Sequence, residues 1–278
     1  MVDSVSNFYT YDDIQSISKN LKDHKLHDDI KIKINHLVNI MNIYSKRTRY
    51  KSTPHKTARE YTMHLICGYL NKITEKTYDS ILNVLIVLLN DHNNEKDLLI
   101  CGKHIFQIVT KDIFYVSLYS RLFYDLMQTF PLMENVLHEY FRHYSQSFKT
   151  IHQYKEGNHE DEYSYHKDKD TTRSLATFYI SLLQYNIDGM QNSIIGIVDM
   201  LWEHVDVYIQ MKDHMEVIDE IFYVLHILLV GLKKNTYNIE EYIPIIKKYI
   251  DSPKDRYISF SFKARFKLMD IYDSIKPE

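Results

Sequence analysis

The recurrence of apolar residues at helical spacing constrains the fold more than any other feature of this chain. In residues 218–232, IDEIFYVLHILLVGL, one apolar face continues for roughly four turns. Its members are Ile218, Ile221, Phe222, Leu225, Leu228, Leu229 and Leu232. Similar faces occur in residues 77–91, 112–127 and 193–209. Because such a face must be buried against another element, the pattern predicts amphipathic helices packed side by side.

Polar or proline-containing segments separate these faces at regular intervals: residues 90–96, Pro131, 186–189, 233–238 and 251–253. The 278 residues include only six Gly and five Pro, too few for the turns of a strand-rich fold. We therefore predict about ten helices in five antiparallel pairs of roughly 35–45 residues each. This spacing favours an all-α solenoid in which each pair buries its face on its neighbours. An irregular helical bundle is the alternative that the periodicity leaves open.

The composition indicates the cellular compartment more clearly than it indicates the class of binding partner. Cys67 and Cys101 are the only cysteines, and both lie in apolar helical patterns, so we expect reduced thiols inside the cell. The sequence shows no secretory signal at its start and no membrane span, which predicts a soluble, cytoplasmic protein. The net charge of −3 is compatible with protein and nucleic-acid partners alike. The 24 tyrosines, with many Ile, Asn and Lys, are typical of an A+T-rich genome such as that of a large DNA virus or a protist.

Two segments depart from the helical pattern. Residues 153–172 carry nine formal charges and no aliphatic side chain, which predicts a mobile loop. Residues 1–56 form a predicted N-terminal arm, and residues 57–276 a predicted helical domain. The basic segment 45–59 joins them and contains no acidic residue; its cations are Lys46, Arg47, Arg49, Lys51, Lys56 and Arg59.

The sequence offers only poor candidates for catalytic motifs. His138 and His143 are five positions apart and so do not share a helix face as two zinc ligands would. The sequence also has no glycine-rich loop for a nucleotide phosphate. We therefore predict no enzymatic activity, no metal site and no cofactor.

Five motifs, in order along the chain, resemble the middle domain of translation initiation factor 4G, a solenoid of five HEAT repeats. LNKITEKTYD (70–79) is similar to a first-repeat motif. LYSRLFYDL (118–126) has Ser120 where the family has Ala, and RSLATFYISLL (173–183) has Thr177 where it has Asn. Gly231 matches a glycine of the fourth repeat, and KARFKLMDIYD (263–273) is similar to the fifth. The charged segment also falls where the family carries a long insertion. The resemblance covers residues 57–276.

In this family the middle domain binds both lobes of a DEAD-box RNA helicase of the initiation factor 4A type and activates it. The resemblance places one contact at the first repeat, at Leu70, Asn71, Lys72, Ile73 and Tyr78. Leu70, Ile73 and Tyr78 are expected to form an exposed apolar ridge there, with burial in the core as the alternative. An apolar anchor of this kind would dominate the binding energy.

The resemblance places the second contact at the fifth repeat, at Lys263, Arg265, Phe266 and Asp270. We expect the cations, including Lys267, to face the helicase while Phe266 and Leu268 pack inward. A solvated charged face is the alternative for these cations.

Two further partners are implied for the N-terminal arm. RNA-binding segments adjoin this domain in the family, and the six cations of the basic segment suit contacts with RNA phosphates; an ordinary linker is the alternative. Residues 9–17, YTYDDIQSI, resemble the motif that binds a cap-binding protein of the initiation factor 4E type. Tyr9, Ile14 and Ile17 would form its binding stripe, although Gln15 replaces an apolar residue of the motif.

The function predicted from the sequence is that of a scaffold for translation initiation. Two alternatives remain. The first is a related HEAT scaffold for RNA decay, splicing or export, with a different DEAD-box partner. The second is a helical transport adaptor that binds peptides and no helicase.

Overall fold

The computed structural model describes residues 58–91, 94–148, 159–253 and 256–277, with the backbone alone for residues 58–59 and 159–165. These residues form ten α-helices: α1 (Ala58–Leu70), α2 (Tyr78–Asn90), α3 (Glu95–Val109), α4 (Val116–Thr129), α5 (Leu132–Ser147), α6 (His159–Leu182), α7 (Met190–Tyr208), α8 (Met215–Lys234), α9 (Tyr242–Ile250) and α10 (Phe262–Ile275). A 3₁₀ turn, Leu183–Tyr185, follows α6. The predicted all-α architecture is confirmed, since no described residue lies in a strand.

The helices pack in two rows. The even-numbered helices follow one another, with α2 on α4, α4 on α6, α6 on α8 and α8 on α10. In the other row α1 packs on α3 and α3 on α5. Contacts between α1 and α2, α3 and α4, α7 and α8, and α9 and α10 join the two rows. Packing between helices two apart in the sequence is the arrangement of an α-solenoid.

The apolar face predicted in residues 218–232 forms the centre of the core. All seven of its members lie in α8 and are at most 3% exposed. α8 packs on α6, α7 and α10, so the periodicity identified the most enclosed helix. Each helix within the described part of the chain is too short or too polar to cross a membrane.

The loop predicted at residues 153–172 is wrong for residues 159–172, which form the first half of α6. Polar contacts replace the apolar burial that this segment lacks. Lys169 is 18% exposed and pairs with Glu216 of α8 at 3.8 Å. One turn further on, Arg173 forms a two-pronged ion pair with Glu220. Because extending an existing helix is far easier than nucleating one, the apolar second half of α6 supports the charged first half.

Tyrosine–aspartate hydrogen bonds join helices two apart in the sequence. Tyr242 of α9 donates to Asp199 of α7 at 2.7 Å, and Tyr249 donates to Asp206 seven residues further along both helices. Tyr78 of α2 donates to a carboxylate of α4 at 2.7 Å. Burial first, and then these bonds to carboxylates, raise the pKa of all three phenols above the usual value.

We expect the protein to lose stability above pH 10. Below about pH 10 the phenols are protonated in both the folded and unfolded states, and the stability is fully present. Above it the unfolded chain ionises first, so each such tyrosine removes up to about 1.4 kcal/mol per pH unit. Urea unfolding between pH 8 and 11 measures the decline. Tyr249→Phe should make it shallower, whereas Tyr61→Phe, at a side chain that is 57% exposed, should not. If stability declines with pH equally steeply in both variants and the parent, Tyr249 does not contribute to the decline.

Gly231 allows α6 and α8 to approach closely. A Cβ added at this residue would overlap Cγ2 of Ile180 and lie 2.9 Å from both Cγ1 and Cδ1 of the same side chain. Ile180 is branched at Cβ, so its inner carbons cannot move aside without shifting the helix. The glycine matched to the fourth repeat therefore has a packing role.

Gly231→Ala should lower the free energy of unfolding by about 1–3 kcal/mol, because it overpacks this helix contact. Gly196→Ala is the matched control: nothing lies within 4 Å of a Cβ at Gly196, which is also inside a helix. The control should be neutral or stabilising by about 0.5–1 kcal/mol, as alanine favours helix. Thermal unfolding of both variants provides the comparison, and a destabilised Gly196→Ala with an unaffected Gly231→Ala would refute the packing role.

Candidate functional site

The apolar residues of the first-repeat motif lie in the core. Leu70, Ile73 and Tyr78 are 0%, 4% and 1% exposed, so the expected exposed ridge is wrong. Hydrogen bonds to residues of α4 hold both ends of the turn between α1 and α2. The hydroxyl of Tyr78 donates to Asp125, and the carbonyl of Leu70 accepts from the hydroxyl of Tyr119 at 3.3 Å. These contacts hold the motif against the next repeat and leave its apolar side chains facing inward.

The polar residues of the same turn remain on the surface. Asn71 and Lys72 are exposed. Two threonines fix the turn: the backbone N–H of Thr74 donates to the Thr77 hydroxyl at 2.9 Å, and that hydroxyl donates to the carbonyl of Lys72 at 2.9 Å. The turn therefore presents Asn71 and Lys72 on a fixed backbone.

An exposed apolar turn lies in the second repeat, outside every predicted site. Phe114 is 93% exposed, and its neighbours Ile113 and Tyr115 are 42% and 46% exposed. The carboxylate of Asp112 accepts from the Phe114 N–H at 3.0 Å and holds the turn. The apolar periodicity of residues 112–127 predicts one helical face, but α4 begins only at Val116. The aspartate two residues before Phe114 was the available signal for a turn.

Arg265 of the last repeat points into the protein. Its guanidinium donates to the carbonyls of Ile250 and Ser252, the latter at 2.9 Å, where α9 ends. It also lies 4.9 Å from the ring centre of Phe260. Cations stabilise the unpaired carbonyls at a helix C-terminus. The expectation that Arg265 faces a partner is therefore wrong.

Of the other two cations, Lys263 is the better exposed. Its side chain is 75% exposed and pairs with Asp219 of α8 at 3.4 Å. Lys267 is only 24% exposed, pairs with Asp270 at 3.6 Å and lies over the ring of Tyr223. Asp270 itself is exposed.

The surface of α10 carries an apolar stripe. Leu268 is fully buried as expected, but Phe266 is 63% exposed, so the expectation that it packs inward is wrong. Phe262 and Met269, one turn on either side of Phe266, are 61% and 41% exposed. Residues at this spacing share a helix face, and the buried face of α10 uses other positions: Ala264, Leu268, Ile271 and Ile275.

The α7–α8 and α9–α10 turns meet at Ser259, three residues before Phe262. The hydroxyl of Ser259 donates to the carbonyl of Met211 at 2.6 Å and accepts from the N–H of His214 at 3.2 Å. Met211, Met215 and Ile258 are between 42% and 56% exposed.

The α3–α4, α7–α8 and α9–α10 turns each lead from an odd-numbered helix to the next even-numbered one. They therefore lie along the same edge of the solenoid. We call the exposed apolar residues along this edge and on α10 the turn-edge surface: Ile113, Phe114, Tyr115, Met211, Met215, Ile258, Phe262, Phe266 and Met269.

A cysteine–histidine pair was also not anticipated. Sγ of Cys67 in α1 lies 3.1 Å from Nε2 of His104 in α3. Burial lowers the pKa of His104, which favours the neutral form of its imidazole. The two residues are 37 positions apart, and no local pattern in the sequence joins them.

The predicted sites of the arm lie outside the described residues. These are Tyr9, Ile14 and Ile17, with the cations Lys46, Arg47, Arg49, Lys51 and Lys56. Arg59 is in α1, but its side chain is not among those described.

No family model, curated protein or solved structure matches the chain. The arrangement of the exposed residues is therefore the basis for the functional proposal, together with the motif resemblance.

The different environments of Arg265 and Lys263 predict different effects of mutation. Arg265→Ala should lower the free energy of unfolding by about 1.5–3 kcal/mol, since it removes charge-assisted hydrogen bonds at the end of α9. Lys263→Ala should lower it by less than about 1 kcal/mol, as expected for a solvated ion pair. Urea denaturation of the two variants tests this difference. Equal destabilisation would show that Arg265 does not hold the end of α9.

Proposed function

We propose that this protein is a cytoplasmic scaffold for translation initiation that binds and activates a DEAD-box RNA helicase of the initiation factor 4A type. The observation that carries the proposal is the turn-edge surface, which offers apolar contacts in the second repeat and again in the last two. Large exposed apolar patches mark interaction sites, and a few desolvated aromatic side chains dominate such contacts. The order of the five motifs supports this class of partner.

The buried first-repeat motif changes the proposed contact residues. At the first end of the solenoid, we propose that Asn71 and Lys72 contact one helicase lobe, with Phe114 of the neighbouring repeat as the apolar anchor. At the last end, Lys263, Phe266 and Asp270 contact the other lobe. Arg265 supports this second contact from within by holding α9 against α10.

Two separated contacts explain how a scaffold without catalytic groups activates an enzyme. A partner shifts a conformational equilibrium only through its different affinities for the two states. A helicase whose lobes must close to hydrolyse ATP would engage both ends of the solenoid only when its lobes are correctly placed. The solenoid would then favour the closed state without taking part in the chemistry.

The arm extends the proposal to RNA and a cap-binding protein. The cations between Lys46 and Arg59 suit salt-dependent contacts with RNA phosphates. Tyr9, Ile14 and Ile17 suit a short helix bound to a protein of the initiation factor 4E type, with Gln15 as the departure from that motif.

Affinity purification followed by mass spectrometry separates the candidate functions. Recovery of a 4A-type helicase supports the proposal. A helicase of RNA decay, splicing or export supports the related scaffold instead, and recovery of cargo peptides without a helicase supports the transport adaptor.

Replacing an aromatic residue of the turn-edge surface should weaken activation of the helicase. We expect Phe266→Asp to reduce the maximal stimulation of ATP hydrolysis more than it reduces affinity, because the contact at the other end remains. Phe114→Asp should weaken binding about tenfold or more, as expected for a desolvated anchor. The measurement is helicase ATPase rate against scaffold concentration, with RNA saturating.

Val87→Asp is the matched control for these variants. Val87 is 60% exposed but lies within α2, outside the turn-edge surface. The control should stimulate like the parent protein. If both phenylalanine variants also behave like the parent, the turn-edge surface is not the helicase site.

A further inference from the structure

A cavity of about 410 Å³ lies between α5, α6 and α8. Val217, Ile221 and Val224 of α8 line one wall at helical spacing, and Leu175 of α6 lines another. Small-molecule sites commonly measure about 300–1,000 Å³ and are mostly apolar with a few polar groups. The size of this cavity and its apolar walls both fall within that description.

The wall that α5 contributes is aromatic. Tyr140, Tyr144 and Phe148 line the cavity four residues apart, so they follow one face of α5 to the residue just after its end. Tyr140 stacks on Phe106 of α3 with ring centres 4.4 Å apart, and Tyr144 meets Phe148 edge to face at 4.9 Å. These contacts fix the rings. Aromatic rings attract cations as well as apolar groups, so the wall suits a ligand that carries both.

The ion pairs at the cavity leave one lining carboxylate without a partner. Lys169 pairs with Glu216, and Glu220 is held by Arg173, so the charges of these two lining residues are neutralised. Asp168 also lines the cavity and is exposed, and its carboxylate forms no ion pair or hydrogen bond with another described residue. A cation on the open side of the cavity would gain this carboxylate as a partner, whereas an anion would be repelled by it.

We propose that this cavity binds an organic cation whose charged group is attached to an apolar ring. The ring lies against the walls from α5 and α8, and the charged group lies beside the carboxylate of Asp168. Because Asp168 is exposed, its ion pair contributes the preference for positive charge, while the apolar contacts contribute most of the affinity. The site does not depend on the proposed helicase contacts, because none of the residues named for those contacts lines the cavity.

Three naphthalene compounds that differ only in charge test the preference: naphthylmethylammonium, naphthylmethanol and naphthoate. Equilibrium dialysis against the full chain is done at about pH 8, above the usual pKa of histidine, because His143 also lines the cavity. We expect saturable binding of one naphthylmethylammonium per chain. It should bind about twofold to fivefold more tightly than naphthylmethanol, as an exposed ion pair predicts, and naphthoate should bind most weakly. High salt should reduce these differences.

Removal of the carboxylate tests its role. Asp168→Asn should abolish the preference for the ammonium compound and leave the affinity for naphthylmethanol unchanged. Asp170→Asn is the matched control, because it removes the same charge from the same helix at a side chain that is 79% exposed and does not line the cavity. The control should keep the full preference.

A bulky side chain at the cavity tests its location. Thr171→Trp changes an exposed lining residue and should weaken the binding of both naphthylmethylammonium and naphthylmethanol. Gln146→Trp, at an exposed position of α5 that does not line the cavity, should change neither. The absence of saturable binding of naphthylmethylammonium to the parent protein would overturn the proposal. Equal affinities for the three compounds, equal effects of Asp168→Asn and Asp170→Asn, or undiminished binding by Thr171→Trp would also overturn it.

Discussion

The rest of the structure depends on the packing of α6 against α8. In a solenoid each repeat contacts only its neighbours, so the joint in the middle holds the two halves of the stack together. Here the joint combines two interactions. Gly231 lets the helices approach until Ile180 fills the space where a side chain would be, and Arg173 binds Glu220 with both arms of its guanidinium. Arg173 also lies 4.0 Å from the ring centre of Tyr223, so the charge is enclosed by an acid and an aromatic face. A partly buried guanidinium tolerates such a position only because its hydrogen bonds are satisfied.

This joint also explains why a strongly charged segment is helical. Residues 159–172 have no aliphatic side chain with which to bury themselves, yet they continue the axis of a helix whose second half is deep in the core. Once α6 is fixed against α8, Lys169 lies beside Glu216 and the polar segment is held by ion pairs. The cavity of about 410 Å³ between α5, α6 and α8 lies next to the same joint, and Glu220 lines it.

Periodicity predicted the features that depend on local pattern, and missed those that depend on contacts between distant residues. The face of α8 and the ten helices of the described residues follow from which positions are apolar, and both are confirmed. The direction of Arg265 depends on where α9 ends, which brings two carbonyls within reach of a side chain thirteen and fifteen residues away. The Cys67–His104 pair and the cavity depend on how α1 meets α3 and how three other helices meet. No window of the sequence contains both sides of such a contact.

The two ends of the motif resemblance differ in which residues are buried and which are exposed. At the first repeat the apolar residues of the motif, Leu70, Ile73 and Tyr78, are buried in the stack of repeats. These residues therefore contribute to folding. At the last repeat there is no further helix beyond α10 within the described residues, and the apolar Phe266 is left on the surface. Arg265, its immediate neighbour, holds the end of α9. Reversing the charge of Arg265 would therefore disturb folding, whereas replacing Phe266 changes only an exposed side chain. Phe266, like the exposed Lys263 and Asp270, is thus a residue of the fifth-repeat motif at which the proposed binding can be tested separately from stability.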